Sequence, residues 1–249
     1  MALIGVNGGL IGSQRNTNVS TGPGLWTPNE QVRLRRDGLW PTPWFDKVSL
    51  LLHMNGSDGS TTFTDSSNNA FTVTAGGNAQ ISTAQSKFGG ASAYFDGTGD
   101  YLLTASSLAP FQMGTGDFTV EAFIRPTVSV AGYRGLIGLM AGDGETLYIN
   151  DGALEWYPWS FSAGVITVDT WHHVAASRQG ETLRLFIDGV LVDTVIATTD
   201  IDLGRFRAGT NGDLTREFFQ GWMDEVRVVK GLAVYTAAFS PPTQAFPDT

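Results

Sequence analysis

Cysteine is absent from this 249-residue sequence, which excludes a disulfide framework, a thiolate metal site and a thiol nucleophile. Charged residues are scarce at 16%, whereas 42% of residues are apolar and 11% are aromatic, a composition that excludes disorder for most of the chain. The sequence has no run of about eighteen apolar residues and no basic stretch leading into an apolar segment. We therefore expect a chain that neither inserts into a membrane nor uses the general secretory route.

The net charge of −9 is divided unequally along the chain. Residues 1–44 contain four arginines and two acidic residues and sum to +2, so the remaining 205 residues sum to −11. Affinity for nucleic acid comes mostly from neutralising phosphates, so an acidic body argues against nucleic acid as the main partner. The basic segment is better suited to an acidic protein surface.

Residues 1–44 form a predicted N-terminal arm whose composition differs from that of the body. Its first half is rich in Gly, Ser, Asn and Thr and shows no lasting helical or strand period. The stretch from Thr27 to Glu30 matches a helix start, with a capping residue, then proline, and an acid three positions after the cap. Gly38 ends this helix, so the arm carries one short predicted helix.

The arm has too few apolar residues to bury a core of its own, so its aromatic and basic side chains must dock elsewhere. We predict that the docking contacts are made by Trp26, Arg33, Arg35, Arg36 and Trp40. Two docking surfaces remain open from the sequence: the chain's own body and another protein.

From residue 45 onward, apolar residues recur with a period of two, as in half-buried strands. Turn signals such as Asp143-Gly144 and Asn211-Gly212 separate these runs at intervals typical of an antiparallel sandwich or jelly roll. The strongest hairpin prediction joins 183–186 to 191–195 through Asp188-Gly189, because Asp-Gly suits a two-residue turn. The predicted strands are 48–54, 91–95, 101–103, 118–124, 134–140, 146–149, 153–157, 172–178, 182–187, 190–196, 205–209 and 221–229.

Four stretches of the body resemble the laminin-G-like, concanavalin A-like jelly-roll family: SKFGGASAYFDGTGDYLL, GDFTVEAFIRP, DTWHHVAASRQGETLRLFIDGVLVDT and GWMDEVRVVKG. They stand in the order that the family shows, and the resemblance spans residues 48–246. It implies one domain over residues 45–249, built from two antiparallel sheets, one flat and one curved. It also implies a function in glycan or protein binding.

The ends of the sequence resemble bacteriophage virion proteins more narrowly. SLLLHMNGSDGSTTFTDSSNNAF and GLAVYTAAFSPPTQAFPDT are similar to the opening and closing segments of such domains in those proteins. IGVNGGLIG followed by GLWTPNEQVRLRRDGLWP resembles an arm placed before such domains in phage structural genes. The resemblance implies a virion location on capsid or tail, other virion proteins as partners of residues 1–44, and a homo-oligomer, with a trimer favoured.

The same fold also carries glycanases, so we searched for their carboxylates. Retaining glycosidases need two carboxylates about 5 Å apart, and the family's Glu-x-Asp-x-x-Glu pattern is absent. Asp224 and Glu225 are adjacent and would point to opposite faces of a strand, as would His172 and His173. Glu155 stands among aromatic residues without a second carboxylate nearby in sequence, although a distant partner remains open. The prediction is a protein that is not an enzyme.

No cofactor is required by these motifs, and calcium is the one cofactor that the resemblance allows. In the family, an Asp in an Asp-Ser-Ser turn and the acid of an Asp-Glu-Val-Arg strand can lie near a calcium ion, and here these are Asp65 and Asp224. The structural alternatives are that Asp65 caps its own turn and that Asp224 pairs with Arg227 or a backbone amide.

For glycan binding, exposed aromatic rings matter because they stack on the apolar faces of sugars. Trp156, Tyr157, Trp159 and Phe161 crowd together in EWYPWSF, and a strand buries only alternate members. They are therefore the candidate glycan site, with Tyr133-Arg134 and residues 211–216 as weaker candidates. A contact with a neighbouring subunit is an equal alternative, since interface cores are also rich in Trp and Tyr.

The sequence thus predicts an all-β, two-sheet antiparallel jelly roll preceded by an extended N-terminal arm with one short helix. Its predicted role is a bacteriophage virion structural protein, as a fibre, adaptor or decoration component that presents an adhesion domain for host glycan attachment or particle assembly. A free-standing calcium-dependent lectin is the alternative, followed by a glycan hydrolase.

Overall fold

A computed structural model describes residues 42, 44–106, 108–128, 132–140, 144, 146–158, 164–198, 200–202, 204–211 and 214–248, with the short strands β1 (Ile11–Gly12) and β2 (Gly24–Leu25). The chain divides into two compact units, residues 1–45 with 246–249 and residues 46–245. Strands β1 and β2 pair antiparallel in the first unit. The predicted arm helix and the predicted docking residues lie outside the described residues, namely Trp26, Arg33, Arg35, Arg36 and Trp40.

The second unit is an antiparallel two-sheet sandwich. Its strands are β3 (Val48–Leu52), β4 (Phe63–Thr64), β5 (Thr72–Gly76), β6 (Gln80–Ser82), β7 (Ser92–Asp96), β8 (Tyr101–Leu103), β9 (Phe118–Pro126), β10 (Tyr133–Met140), β11 (Thr146–Asn150), β12 (Ala153–Tyr157), β13 (His172–Gln179), β14 (Thr182–Ile187), β15 (Val190–Ile196), β16 (Gly204–Ala208) and β17 (Gln220–Lys230). Single turns of 3-10 helix cover Phe45–Lys47 and Ala109–Phe111. In the described part of the chain, no helix has the length and apolar character needed to cross a membrane.

Among the described residues, one sheet has seven strands in the order β12-β11-β10-β16-β8-β5-β4. The other has eight, in the order β15-β14-β13-β9-β17-β7-β6, and β3 pairs with β17 beside β7. Both sheets are antiparallel throughout, so the predicted all-β, two-sheet fold class is confirmed.

The predicted hairpin is confirmed: β14 pairs antiparallel with β15. Asp188 and Gly189 form its turn with φ values of 50° and 75°, the left-handed region that a two-residue turn of this kind requires. The short strands β4, β5 and β6 were not among the sequence predictions. They are two to five residues long and alternate too briefly to show a period.

The core lies between the inner faces of the two sheets, where alternate residues of each strand meet. Leu50, Val120, Phe206 and Trp156 are buried there, and the Trp156 ring packs 5.4 Å from that of Phe118. Burying side chains of this size contributes about 1.5–3 kcal/mol each and forms the main stabilisation of the sandwich.

The outer face of the eight-stranded sheet is covered by residues 231–241, which we call the closing segment. Tyr235 and Phe239 stack face to face at 3.6 Å, and both rings pack against Phe186 of β14. The amide of Phe239 donates to the Gly189 carbonyl at 2.9 Å, and a Cβ at Gly189 would collide with the Phe239 backbone. The hairpin turn therefore serves as a docking point for the closing segment.

Candidate functional site

Three neighbouring strands of the seven-stranded sheet present tyrosines on its outer face. In β11 and β12, alternate residues enter the core, which leaves Tyr148, Glu155 and Tyr157 on the opposite face. The register places Tyr148 opposite Glu155 and Tyr133 of β10 opposite Asn150. Side chains that are far apart in sequence therefore share one surface.

Tyr133, Tyr148 and Tyr157, which we call the tyrosine cluster, meet at nearly right angles. Ring centroids are 5.7 Å apart for Tyr133 and Tyr148 and 6.4 Å apart for Tyr148 and Tyr157, with interplanar angles of 84° and 78°. Tyr133 and Tyr157 are 42% and 47% exposed, whereas Tyr148 between them is 5% exposed. The cluster is an aromatic surface with a buried centre and two accessible sides.

Polar groups border the tyrosine cluster. The Asn150 side-chain amide donates to Glu155 at 3.0 Å, which fixes the carboxylate beside the rings. The segment before β17 approaches β10 closely, because Gly135 has no Cβ to collide with the Thr210 carbonyl. The Gly135 amide donates to the Glu217 carbonyl at 2.8 Å, so a glycine in β10 positions a second glutamate near the cluster.

The electrostatic potential at the cluster is negative. The pKa of Tyr133 is raised first by the charge of Glu155, then by burial and by the charges of Glu217 and Asp151. The pKa of Tyr148 is also raised, first by burial and then by Glu217. A negative potential disfavours the phenolate form and favours a cation at the same place.

Arginines near the cluster are engaged with other groups. Arg207 is buried, and its guanidinium donates to the carbonyls of Met140 and Gly144 and to the Thr146 hydroxyl, which holds residue 144 against the sheet. Arg134 donates to the carbonyl of Tyr133 at 2.8 Å. Arg216 Nε lies 4.0 Å from Glu217 Oε1.

The structure corrects one residue of the predicted glycan site. Trp156 is 0% exposed and packs on Phe118 in the core, so it cannot contact a ligand. Its neighbour Tyr157 faces outward, as strand alternation requires. Trp159 and Phe161 lie outside the described residues.

Tyr148 was not among the predicted site residues. The alternation of TLYIN marks it as an outward residue, since its neighbours Leu147 and Ile149 are apolar. That signal was available in the sequence, but only the pairing with β10 and β12 shows that Tyr148 lies beside two other tyrosines.

Asp65 is held as a turn cap rather than as an open ligand. Its Oδ1 accepts from the amides of Leu51 and Ser67, and its Oδ2 accepts from the Ser67 hydroxyl and the Phe71 amide, at 2.9–3.0 Å. Four donors occupy the four lone-pair positions of a carboxylate, so a cation would have to displace them. Asp65 therefore does not fit a calcium ligand.

Asp224 is bound by a different segment. Its Oδ2 accepts from the amides of Lys87 and Phe88 at 2.8 and 3.0 Å, and its Oδ1 has no hydrogen-bond partner in the described part of the chain. Burial raises the pKa of Asp224 to about 7, although the two amides lower it. Calcium prefers six to eight oxygen ligands, and no group of three or more His, Asp or Glu converges on a metal position among the described residues. Among the described residues, Asp224 therefore lacks the further carboxylate or imidazole ligands that a calcium ion would share with it.

The adjacent acids of β17 have separate partners. The strand bulges after Asp224, and Glu225 has a φ of 51°. Glu225 Oε1 lies 2.8 Å from His53 Nδ1, whereas Asp224 is bound by residues 87 and 88. The two carboxylates do not converge on one position.

Glu121 is the centre of a buried network beneath the closing segment. Arg227 donates to its Oε1 at 2.6 and 2.9 Å, Tyr235 donates to its Oε2 at 2.8 Å, and His173 Nε2 lies 3.0 Å from Oε2. Burial alone would raise the pKa of Glu121, but Arg227, His173 and Tyr235 lower it to about 2. The network is covered by protein and offers no access to a substrate.

The adjacent histidines also have separate partners. His173 belongs to the Glu121 network, whereas His172 lies between Asp188 at 2.7 Å and the Thr167 hydroxyl at 2.9 Å. Asp188 also accepts from the His173 amide at 2.9 Å, which ties the start of β13 to the hairpin turn. Both contacts fix the local fold.

A model of the concanavalin A-like lectin/glucanases superfamily matches residues 96–234, more than half of the chain. The chain belongs to this superfamily, and the matched residues contain the tyrosine cluster and most of both sheets. No curated protein matches the chain.

Several solved structures are similar in fold. Domain 4 of an arabinanase from Geobacillus stearothermophilus, in complex with arabinotriose, is 19% identical with a TM-score of 0.57, covering 74% of this chain and 93% of that one. The binding domain of botulinum neurotoxin serotype D is 15% identical with a TM-score of 0.57, covering 77% of this chain and 50% of that one. The binding domain of botulinum neurotoxin DC in complex with SialylT is 16% identical with a TM-score of 0.55, covering 76% of this chain and 49% of that one. The chain spans about half the length of the neurotoxin domains, and identities this low show the fold alone.

Proposed function

We propose that the sandwich is a carbohydrate-binding domain whose ligand lies on the tyrosine cluster. The observation that carries this proposal is the pair of exposed rings, Tyr133 and Tyr157, beside the glutamate that Asn150 fixes. Aromatic rings cover the C–H faces of a pyranose, and a few placed polar groups orient its hydroxyls. This combination suits a sugar better than a purely apolar or a purely charged ligand.

The similar structures support a carbohydrate ligand by analogy. One of them is described in complex with arabinotriose, another in complex with SialylT, and a third in relation to two ganglioside molecules. One neurotoxin domain is described with synaptotagmin II, so the fold also accommodates a protein partner.

The test is a glycan array followed by titration calorimetry on the full chain. Tyr157→Ala removes one accessible ring and is expected to weaken the best ligand about tenfold. Tyr157→Phe keeps the ring and should bind within about twofold of the wild type. Val190→Ala, at an exposed position of the other sheet, controls for non-specific surface effects. Unchanged binding by Tyr157→Ala would place the ligand elsewhere.

We propose binding without catalysis. Glu155 and Glu217 both border the tyrosine cluster, so the hydrolase alternative is tested through Glu155→Gln. If the domain only binds, neither the wild type nor Glu155→Gln should release reducing ends from a panel of polysaccharides. Release by the wild type that Glu155→Gln abolishes would replace this proposal with a glycan hydrolase.

For the whole chain we propose a structural component of a bacteriophage particle, located at the capsid or tail surface and anchored by residues 1–44. The support is the resemblance of both ends to phage virion proteins and the +2 charge of the arm against an acidic body. Deleting residues 1–44 should leave a folded body that no longer incorporates into particles. Normal incorporation of the truncated protein would favour a free-standing lectin.

The assembled mass of the full chain tests the oligomer. Light scattering and negative-stain imaging are expected to show a defined homo-oligomer, with a trimer favoured. A monomer would shift the arm's role to docking on a different virion protein.

A further inference from the structure

The rings of the tyrosine cluster are arranged differently from the stacked aromatic pair of the closing segment. Tyr235 and Phe239 lie parallel, 3.6 Å apart at 4°, which leaves no space between their faces. Tyr133 and Tyr157 each stand at nearly a right angle to the Tyr148 ring that both of them contact, an arrangement that we call the corner. Aromatic corners of this kind present electron-rich faces to a ligand, and such faces attract cations.

The charges around the corner have the sign that a cation needs. Glu155 lies directly opposite Tyr148 across the strand pair and is held there by Asn150. Glu217 and Asp151 add to the negative potential that raises the pKa of Tyr133. The guanidinium groups of Arg134 and Arg207 keep their positive charge and are directed at carbonyl oxygens, and the carboxylates outweigh them at Tyr133, whose pKa is raised. A positive ligand group is therefore favoured at the corner, and a carboxylate or sulfate is disfavoured.

We infer that the tyrosine cluster binds a protonated amine, so that the sugars it selects carry an amino group rather than an N-acetyl group or a carboxylate. This inference rests on the proposed carbohydrate-binding function and names the ligand class of the same site. The ammonium group lies against the rings of Tyr133 and Tyr157, and Glu155 accepts one of its hydrogens. The pyranose ring extends from the corner across the exposed side of Tyr157.

The ligand test uses titration calorimetry to compare the affinities of the full chain for three oligosaccharides of equal length. They are oligomers of glucosamine, of N-acetylglucosamine and of a uronic acid. We expect the glucosamine oligomer to bind about tenfold more tightly than its acetylated counterpart. This preference should shrink as the salt concentration rises, because exposed charges are screened. The uronic acid oligomer should bind most weakly.

The outcomes separate the inference from the proposed function. Equal or tighter binding of the N-acetylated oligomer overturns the inference and leaves carbohydrate binding intact. If no sugar binds, the proposed function is overturned. The inference is then tested separately by adding tetramethylammonium, a cation without a sugar, to the full chain. Tetramethylammonium-induced shifts in the NMR signals of Tyr133 and Tyr157 would support an ammonium site, and unshifted signals would overturn it.

Paired variants test the residues. Tyr133→Phe keeps the aromatic face and should retain the preference for the amine, whereas Tyr133→Leu should lose most of it. Glu155→Gln removes the carboxylate charge and should reduce the ratio of the affinities for the amine and the N-acetylated oligomer several-fold, whereas a merely structural role would weaken both ligands equally. Asp151→Asn, at an exposed position, should reduce the preference for the amine by a smaller factor. It replaces Glu155→Gln as the test if that variant folds poorly. Unchanged selectivity in both acidic variants would overturn the inference.

Discussion

On the outer face of the eight-stranded sheet, the Glu121 carboxylate accepts from Arg227 and from Tyr235 of the closing segment, and both Glu121 and Arg227 are buried. On the outer face of the seven-stranded sheet, Glu155 also lies beside tyrosines, but two of those rings are more than two-fifths exposed. Both faces place a glutamate beside tyrosines, and among the described residues only the eight-stranded sheet has a segment, residues 231–241, packed over its glutamate.

The comparison indicates that a polar cluster packed beneath another segment contributes mainly to stability, whereas an exposed cluster is available to bind a ligand. Under the closing segment, each polar group must find a partner within the protein, because an unpaired buried group is costly. On the face with the tyrosine cluster, Tyr133 and Tyr157 are exposed and can contact a ligand, whereas Glu155 accepts from Asn150. Changes to the covered face should therefore alter stability, and changes to the open face should alter binding.

The largest expected effect comes from removing the arginine of the covered network. Arg227→Met leaves the Glu121 charge buried and should lower the free energy of unfolding by about 3–5 kcal/mol. Arg216→Met, at an exposed position of the open side, should change it by less than about 0.5 kcal/mol. Urea unfolding measures both. Equal losses would mean that the cover does not isolate Glu121 from water.

A pH profile compares two carboxylates of the covered face. The pKa of Glu121 is lowered to about 2, so its contribution to stability is present above its ordinary value of 4.5 and is lost as the pH falls towards 2. The pKa of Asp224 is raised to about 7, so its contribution is present below its ordinary value of 3.8 and is lost as the pH rises through 7.

Asp224→Asn should therefore remove the loss of stability that begins as the pH rises above 3.8, and it should leave unchanged the loss that Glu121 causes as the pH falls from 4.5 towards 2. Between pH 5 and 8 the wild type should lose on the order of 2 kcal/mol of stability that the variant does not lose. Chemical unfolding at pH 3, 5 and 8 tests this. A variant that follows the wild-type profile would assign the loss to another group.

Two Tyr→Phe variants, one on each outer face, test the same difference in stability with smaller expected effects. Tyr235→Phe removes a 2.8 Å hydrogen bond to a buried carboxylate and should cost about 1.5 kcal/mol of stability. Tyr157→Phe, on the open face, should change stability by less than about 0.5 kcal/mol. Thermal unfolding of the two variants measures the difference, and a reversed order would contradict the assignment of covered and open faces.

The smallest expected effect is that of calcium. Asp65 already accepts four hydrogen bonds and Asp224 is buried beneath residues 87 and 88, so neither carboxylate is suited to a cation. Adding millimolar calcium or a chelator should shift the unfolding temperature by less than about 1 °C. A clear upward shift with calcium would restore the calcium-dependent lectin as the better alternative.

The strands could be predicted because their signals are local. The alternation of residues 118–124 and the Asp-Gly turn between β14 and β15 each occupy fewer than ten neighbouring residues. The same period of two predicted that Trp156 and Tyr157 lie on opposite faces, without saying which of them is exposed. The turn cap at Asp65 was one of two structural alternatives, and its donors Ser67 and Phe71 lie within six residues.

The partners of Glu121 could not be predicted, because they lie 52, 106 and 114 residues away in the sequence. Only the register between β9, β13 and β17 brings them together. The same holds for the tyrosine cluster, where Trp156 and Tyr157 looked equally suitable until the sheets showed which of them enters the core. Alternation indicates that neighbours differ in face, but the fold decides which face is inside.

The closing segment is also the last part of the sandwich to be synthesised, since residues 231–241 follow every strand. Until these residues have left the ribosome, Phe186 lacks the rings of Tyr235 and Phe239, and the Glu121 carboxylate lacks the hydrogen bond from Tyr235. The eight-stranded sheet can pair its strands before that moment, but it cannot finish its outer layer. Completion of the sandwich therefore waits for residues 231–241, and a nascent chain stalled before Tyr235 would leave the Phe186 ring without the two rings that pack on it.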